Sequence, residues 1–181
     1  MIHHRRVLVL GGARSGKSRT AQELAETTSE KRIYIATAQA HDDEMRDRIA
    51  HHRTERDDLW QTCEAPLDLA DTIRMQAGPG RVVLVDCLTL WLSNVLLAER
   101  DVGQETEQLA LAIADAAGPL ILVSNEVGQG IVPATPLGRV FRDAQGRLNQ
   151  QIAAACDAVV FVAAGCPLLL KPAPPLRLTI A

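Results

Sequence analysis

The segment GGARSGKS, from Gly11 to Ser18, directly follows the apolar run Val7–Leu10 and leads into a helical pattern that begins at Lys17. It matches GxxxxGK[ST] in the strand–loop–helix context that this motif requires. Glycines permit a tight loop whose backbone N–H groups converge, and the following helix directs its positive end at the same point. A glycine-rich turn without a ligand is the alternative, but the motif in this context predicts a site for nucleotide phosphates.

Short β-branched runs alternate with longer helical patterns along the rest of the chain. This alternation predicts a mainly parallel sheet with helices on both faces, and the nearly continuous apolar character of the runs is typical of strands covered on both sides. We therefore expect one α/β domain of the P-loop NTPase type, RecA-like, over residues 1–181.

The predicted strands are Val7–Leu10, Arg32–Thr37, Arg81–Cys87, Leu120–Asn125 and Ala158–Ala163, with a further edge strand at Leu59–Ala65. The predicted helices are Lys17–Thr28, Asp42–Arg56, Leu67–Met75, Thr89–Glu99, Gln104–Ala117 and Leu137–Cys156. The proline-rich tail after Cys166 is expected to leave the sheet.

Composition excludes several partners. The formal net charge is −3, and only five residues are aromatic (two Trp, one Tyr, two Phe), so we expect no nucleic-acid partner. No apolar run approaches the ~20 residues of a membrane span, and no signal peptide is recognisable, which predicts a cytoplasmic protein.

The widely spaced cysteines form no zinc-ligand pattern and are expected to be small buried hydrophobes; these are Cys63, Cys87, Cys156 and Cys166.

Three residues are candidates for phosphate and metal chemistry. Lys17 is expected to contact the β- and γ-phosphates, and Ser18 to ligate Mg²⁺. The apolar run from Arg81 ends in Asp86, at the edge of the sheet where ligands of open α/β folds collect, so Asp86 is a second candidate for Mg²⁺. Capping of the helix that begins near Thr89 is the alternative role for Asp86, which the motif makes the less favoured one.

The predicted helix Asp42–Arg56 contains two adjacent histidines. At 100° per residue, His52 shares the packing stripe of Ile49, whereas His51 lies about 160° from Ile49 on the polar face. An imidazole is a competent nucleophile near neutral pH because much of it is uncharged there. The residues alone leave two roles for His51, a nucleophile in a cleft or a solvated surface residue.

Five segments together resemble the bifunctional adenosylcobinamide kinase/adenosylcobinamide-phosphate guanylyltransferase family of cobalamin biosynthesis. They are GGARSGKS, YIATAQ, DDEMRDRIAHHR, SNEVGQGIVP and FRDAQGRLNQ, within about Val7 to Val162. The resemblance implies phosphorylation of adenosylcobinamide by ATP or GTP, followed by GMP transfer from GTP to adenosylcobinamide phosphate. It also implies that His51 becomes guanylylated, and that the protein is a small homo-oligomer such as a trimer.

The resemblance also implies a set of nucleotide contacts and two Mg²⁺ ligands, Ser18 and Asp86, the second of which is Glu in some members. Since His51 must reach the α-phosphorus while the kinase step uses the γ-phosphorus, we expect the Asp42–Arg56 helix to shift between the steps. The implied nucleotide contacts are Gly11, Gly12, Ala13, Arg14, Ser15, Gly16, Lys17 and Ser18, then Ala36, Thr37 and Ala38, then His52, Arg53, Thr54 and Glu55, and finally Glu64 and Asp86.

Several roles stay open. Glu126 either orients a substrate group or bonds the amides of its own loop. Arg139, Arg142 and Arg147 either meet phosphates across a subunit boundary or form a solvated face. Two other functions are alternatives: a P-loop small-molecule kinase that forms no protein–nucleotide bond, and a regulatory module that hydrolyses GTP slowly.

Overall fold

The computed structural model describes residues 4–39 and 57–174, which form one seven-stranded sheet with five helices packed against it. The strands are β1 (Arg6–Gly11), β2 (Arg32–Ala36), β3 (Trp60–Glu64), β4 (Val82–Asp86), β5 (Leu120–Asn125), β6 (Ala158–Ala163) and β7 (Cys166–Lys171). The helices are α1 (Lys17–Thr28), α2 (Leu69–Gln76), α3 (Leu88–Leu97), α4 (Val102–Ala114) and α5 (Pro136–Ala155).

The predicted α/β fold class is confirmed. All five predicted strands and the edge strand are present, and the predicted helices within the described ranges match to within about one turn. The helix predicted over Asp42–Arg56 lies outside the described residues.

The order of strands across the sheet is β3-β2-β4-β5-β1-β6-β7. Every neighbouring pair from β3 to β6 is parallel, and β7 alone runs antiparallel to its neighbour β6. The carboxyl ends of the parallel strands therefore meet at one edge, and β1 lies inside the sheet between β5 and β6. This order places one strand, β5, between the strand that leads into the GxxxxGKS loop and the strand that ends in Asp86.

Alternating residues of the strands form two separate cores. Val9, Leu84 and Val123 pack with Ala21 and Ala25 of α1 on one face. Their neighbours along the strands belong to a larger cluster that holds the buried side chains of α2, α3, α4 and α5. Because side chains of a strand point alternately to the two faces, both sides of the parallel sheet are covered, which explains its nearly continuous apolar runs.

The expectation that the chain leaves the sheet after Cys166 is wrong. Ala164 and Gly165 have φ of 51° and 76°, and a two-residue turn with positive φ at both positions matches the twist of an antiparallel hairpin. The chain therefore reverses and pairs as β7, where Pro167 is tolerated because the strand is at the sheet edge. Cys166 is exposed there, so the expectation of four buried cysteines is also wrong for this residue.

An ion pair joins the starts of β1 and β6. Asp157 accepts hydrogen bonds from the backbone N–H groups of Arg5 and Arg6 at 3.0 Å, and from the Arg6 guanidinium at 2.7 Å. These bonds, above all that from the Arg6 side chain, lower the pKa of Asp157 to about 2. The carboxylate therefore stabilises the parallel pairing of these two strands only while it is ionised.

Within the described ranges, no helix combines the length and the apolar character needed to cross a membrane.

The ion pair gives a pH-dependent prediction. Since the folded-state pKa of Asp157 lies below its unfolded value, its contribution is complete above about pH 4 and is lost as the pH falls towards 2. Asp157→Asn should lower the free energy of unfolding by about 1 kcal/mol at pH 7, after allowance for solvent screening of these partly exposed side chains. Urea denaturation between pH 7 and pH 2.5 should show the difference from wild type shrinking below pH 4.

The matched control is Glu107→Gln on the exposed surface of α4, which should change the free energy of unfolding by less than about 0.5 kcal/mol. A difference between Asp157→Asn and wild type that stays constant down to pH 2.5 would contradict the assignment.

Candidate active site

The GxxxxGKS loop connects β1 to α1 at the carboxyl edge of the sheet. Gly16 caps the start of α1 with φ of 97°, a left-handed conformation that glycine adopts without strain. Lys17 follows at the first position of the helix, and its Nζ donates a hydrogen bond to the carbonyl oxygen of Gly12 at 3.2 Å. The lysine side chain therefore lies back across the loop, where its ammonium can meet an anion held by the loop amides.

Residues from the far end of the chain hold the loop in place. The Gly165 N–H, in the turn between β6 and β7, donates to the Ser15 carbonyl oxygen at 2.8 Å. A Cβ on Gly11 would lie 2.4 Å from the Ser15 Oγ and 2.5 Å from the Val162 carbonyl oxygen, and a Cβ on Gly16 would lie 3.1 Å from the Gly165 Cα. The first glycine is thus required by contact with β6, independently of any ligand.

The ends of three strands carry further residues of the predicted site. Ala36, the last residue of β2, pairs in register with Glu64 on β3 and with Asp86 on β4. These three residues form one row across the carboxyl edge. Ala36 and Asp86 are partly buried, and Glu64 is exposed.

Thr37 is fully buried, and all of its polar atoms are used within the protein. Its Oγ1 donates to the Cys87 carbonyl oxygen at 2.7 Å and accepts from the Cys87 N–H at 2.9 Å, and its own carbonyl oxygen accepts from Asn94 Nδ2 at 2.8 Å. Its N–H donates to the Asp86 carbonyl oxygen. In this arrangement Thr37 fixes the backbone on both sides of the Asp86–Cys87 bond, and so positions the Asp86 carboxylate.

The alternative role of Asp86 as a helix cap is wrong. The N-cap residue of α3 is Cys87 rather than Asp86, and the helix has no side-chain capping hydrogen bond. Burial raises the pKa of the Cys87 thiol to about 11, so this thiol stays protonated and unreactive at neutral pH. Cys87 therefore does not compete with Asp86, the predicted metal ligand, at this edge.

Ser18 and Asp86 fit a Mg²⁺ ion bound together with nucleotide. Neither side chain makes a hydrogen bond to another side chain or backbone group within the described residues, so both are available as ligands. The described ranges hold no group of three or more His, Cys, Asp or Glu that would build an all-protein metal cage. One carboxylate, one hydroxyl, phosphate oxygens and water form the ligand set that Mg²⁺ prefers.

Glu126 and two of the three predicted arginines of α5, Arg139 and Arg142, have structural partners. The Gly128 N–H donates to Glu126 Oε1, which is the loop-amide role left open above. Arg139 donates to the carbonyl oxygens of Pro133 and Ala134, Arg142 pairs with the neighbouring Asp143, and Arg147 is exposed. Of the remaining predicted contacts, Gly12, Ala13, Arg14 and Ala38 lie at or near the surface of the same edge, whereas His51 and His52 to Glu55 lie outside the described residues.

The fold and the site together define a P-loop nucleotide-binding protein: a mainly parallel sheet, a GxxxxGKS loop after an inner strand, and an acidic strand end two positions away. The sequence profile of the family "Cobinamide kinase / cobinamide phosphate guanyltransferase" matches residues 7–170. The chain belongs to this family, which confirms the resemblance and extends it through most of β7.

Curated relatives cover nearly the whole chain. The bifunctional adenosylcobalamin biosynthesis protein CobP of Pseudomonas aeruginosa is 50% identical over 171 residues, which is 93% of this chain and 99% of the relative. The proteins named CobU of Escherichia coli and Salmonella typhimurium are 41% and 39% identical, each over 91% of this chain and 99% of the relative. This chain is therefore similar over its length to proteins described as bifunctional.

The two adjacent glycines of the loop give a matched pair of variants. Gly11→Ala places a Cβ against the Val162 carbonyl oxygen and should lower the free energy of unfolding by about 2 kcal/mol, because backbone atoms must move. In Gly12→Ala the new Cβ meets nothing within 4 Å, and stability should change by less than about 1 kcal/mol. Urea denaturation without nucleotide measures both, and equal losses would contradict the packing described here.

Proposed function

We propose that this chain phosphorylates adenosylcobinamide with ATP or GTP, and then transfers GMP from GTP to adenosylcobinamide phosphate through a guanylyl group on His51. Membership of the family supports both activities. The observation that carries the proposal for this chain is the loop itself, in which Lys17 lies across the amides at the positive end of α1. That arrangement suits a triphosphate, which both half-reactions require.

In the kinase step, the substrate hydroxyl oxygen forms a bond to the γ-phosphorus, and the bond from that phosphorus to the β–γ bridging oxygen breaks. The hydroxyl proton leaves to solvent, and the nucleoside diphosphate departs with the bridging oxygen. Lys17 and the loop N–H groups stabilise the charge on the phosphate oxygens, and Ser18 and Asp86 would hold Mg²⁺. When bound, Mg²⁺ supplies further neutralisation of charge on the same oxygens.

In the transferase step, a nitrogen of neutral His51 forms a bond to the α-phosphorus of GTP, and pyrophosphate leaves. A phosphate oxygen of adenosylcobinamide phosphate then forms a bond to the same phosphorus, and the P–N bond breaks to return the imidazole. The loop that holds the β- and γ-phosphates for the kinase step would hold the departing pyrophosphate here. One phosphate site thus serves two different bond cleavages.

The state of the cysteines supports the proposed cytoplasmic location. All four cysteines are free thiols, as expected of a protein in the reducing cytoplasm. The nucleotide contacts implied by the resemblance stay predictions. They are the loop residues, Ala36 to Ala38, His52, Arg53, Thr54, Glu55 and Glu64. The homo-oligomer, the absence of a nucleic-acid partner and a single domain over residues 1–181 also stay predictions.

Labelling with GTP that carries radioactive phosphorus at the α-position tests the covalent step. After incubation with Mg²⁺ and denaturing electrophoresis, label should remain on the chain, be released by acid and survive base, as expected of a P–N bond. His51→Ala should abolish the labelling, and Lys17→Ala should lower both the labelling rate and the kinase rate by about 10²-fold or more.

His4→Ala is the control, because this histidine lies at the opposite end of β1 from the loop, and it should label like wild type. Labelling that persists in His51→Ala would contradict the assigned nucleophile. Kinase activity with no labelling in wild type would favour the small-molecule kinase, and no turnover of adenosylcobinamide would favour the regulatory module.

A further inference from the structure

Strand β5 continues past the end of its neighbour β4. The last paired residues of these two strands are Asp86 and Val123, whereas β5 runs on to Asn125, which pairs with Gly11 of β1 on its other side. An inner strand of a parallel sheet bonds to a strand on each side, so the part that extends beyond one neighbour needs other hydrogen-bond partners. The main-chain N–H of Asn125 is such a group.

The hydroxyl of Thr89 supplies this partner. Thr89 Oγ1 accepts a hydrogen bond from the Asn125 N–H at 2.8 Å. Thr89 is the second residue of α3, the helix that begins two residues after Asp86, and it is buried. The start of α3 therefore takes the place of the missing end of β4 and holds the end of β5 through one side-chain hydrogen bond.

Asn125 is held through its main chain. Its carbonyl oxygen accepts from Asn149 Nδ2 at 3.0 Å, so both of its main-chain polar groups are bonded. Its side-chain Oδ1 is buried without a partner among the described residues. The position of Asn125 therefore depends on Thr89 and Asn149 rather than on its own side chain.

The next residue of β5's exit is bonded to the phosphate loop. The Glu126 N–H donates to the Gly11 carbonyl oxygen at 3.1 Å. Successive N–H groups thus point to opposite sides, that of Asn125 to the start of α3 and that of Glu126 to the first residue of the GxxxxGKS motif. A short path of covalent and hydrogen bonds therefore runs from Asp86 through Thr89 and the end of β5 to the loop.

This path joins the two predicted ligands of Mg²⁺. Asp86 lies at its β4 end, and Ser18 follows the loop at its other end, in the first turn of α1. Mg²⁺ demands near-ideal octahedral geometry with ligand distances of about 2.0–2.1 Å, so a carboxylate and a hydroxyl that share one ion must be held at a fixed separation. The ladder between β4 and β5 ends at Asp86. The hydrogen bond of Thr89 continues the connection beyond it.

We propose that Thr89 is a positioning residue whose hydroxyl sets the separation between the Asp86 carboxylate and the phosphate loop. It acts through the Asn125 N–H and contacts neither nucleotide nor metal. This proposal rests on the binding of nucleotide together with Mg²⁺ that is proposed above. Without the hydroxyl, a buried N–H loses its partner, and the start of α3 is no longer tied to the end of β5.

The test compares Thr89→Val, which keeps the shape of the side chain but cannot accept the hydrogen bond, with Thr89→Ser, which keeps the hydroxyl. Titration calorimetry measures the affinity for the α,β-methylene analogue of GTP, whose α–β linkage resists cleavage. Each protein is titrated with Mg²⁺, with Ca²⁺ and without a divalent cation. The ratio of the affinities with and without the cation is the Mg²⁺ gain or the Ca²⁺ gain.

The Mg²⁺ gain of Thr89→Val should be smaller than that of wild type by about 5-fold or more, as for other residues that orient metal ligands indirectly. The Ca²⁺ gain should change by less than about 2-fold, because Ca²⁺ accepts longer and less regular coordination. Thr89→Ser should restore the Mg²⁺ gain to within about 2-fold of wild type, since its hydroxyl can accept the same hydrogen bond.

Thr72→Val is the matched control. Thr72 is a buried threonine of α2, and its Oγ1 donates to the Asp68 carbonyl oxygen at 2.9 Å, outside the path described above. Both valine variants replace one buried hydroxyl by a methyl group. The control should keep the Mg²⁺ gain of wild type when both are titrated well below their melting temperatures.

The binding data separate the metal site from the role of Thr89. A wild-type affinity that Mg²⁺ does not raise would overturn the proposed metal ligands and the role of Thr89 with them. A Mg²⁺ gain in Thr89→Val within about 2-fold of wild type would overturn the role of Thr89 alone. An equal loss of the Mg²⁺ and Ca²⁺ gains that Thr89→Ser does not restore would do the same. These titrations use no adenosylcobinamide, so failure of the proposed reactions would be seen separately, as no turnover of that substrate.

Discussion

The structure depends on the parallel pairing of β1 with both β5 and β6. Parallel strands bring their carboxyl ends to one edge, and only a strand inside the sheet can place its following loop between two others. Gly11 permits the close packing of the loop against β6. The Val162 carbonyl oxygen and the Ser15 hydroxyl occupy the space that a Cβ at this position would need. The phosphate loop is therefore shaped by the neighbouring strand before any ligand arrives.

Two buried polar side chains, Thr37 and Asn149, hold the main chain of neighbouring residues in place. Both bond only to protein, and Thr37 fixes the main chain beside Asp86, whose side chain is uncommitted. Such an arrangement leaves the side chain of Asp86 available to a ligand while its backbone is held. It also explains why polar residues occur within an otherwise apolar core.

Most of the fold could be predicted from local sequence, because apolar runs, helical periodicity and the GxxxxGKS motif are all short-range patterns. The continuation into β7 could not, since prolines in the tail suggested a chain leaving the sheet and the Ala164–Gly165 turn carries no strong hairpin signal. The role of Thr37 was also missed: a family resemblance places it near nucleotide, but only the packed structure shows its hydroxyl bonded to Cys87. The buried, unpartnered Oδ1 of Asn125 could not be predicted either, because the packing around one side-chain atom leaves no pattern in the sequence.

The hydrogen bond from the Gly165 N–H to the Ser15 carbonyl oxygen joins the loop after β1 to the turn after β6. On the ribosome, the segment with Lys17 emerges while β6 and the turn that follows it have yet to be translated, so the loop lacks the backbone that defines its shape. A nascent chain therefore carries the complete GxxxxGKS motif long before it carries the anion-binding geometry. The loop can therefore take its final shape only once the residues up to Gly165 have been translated.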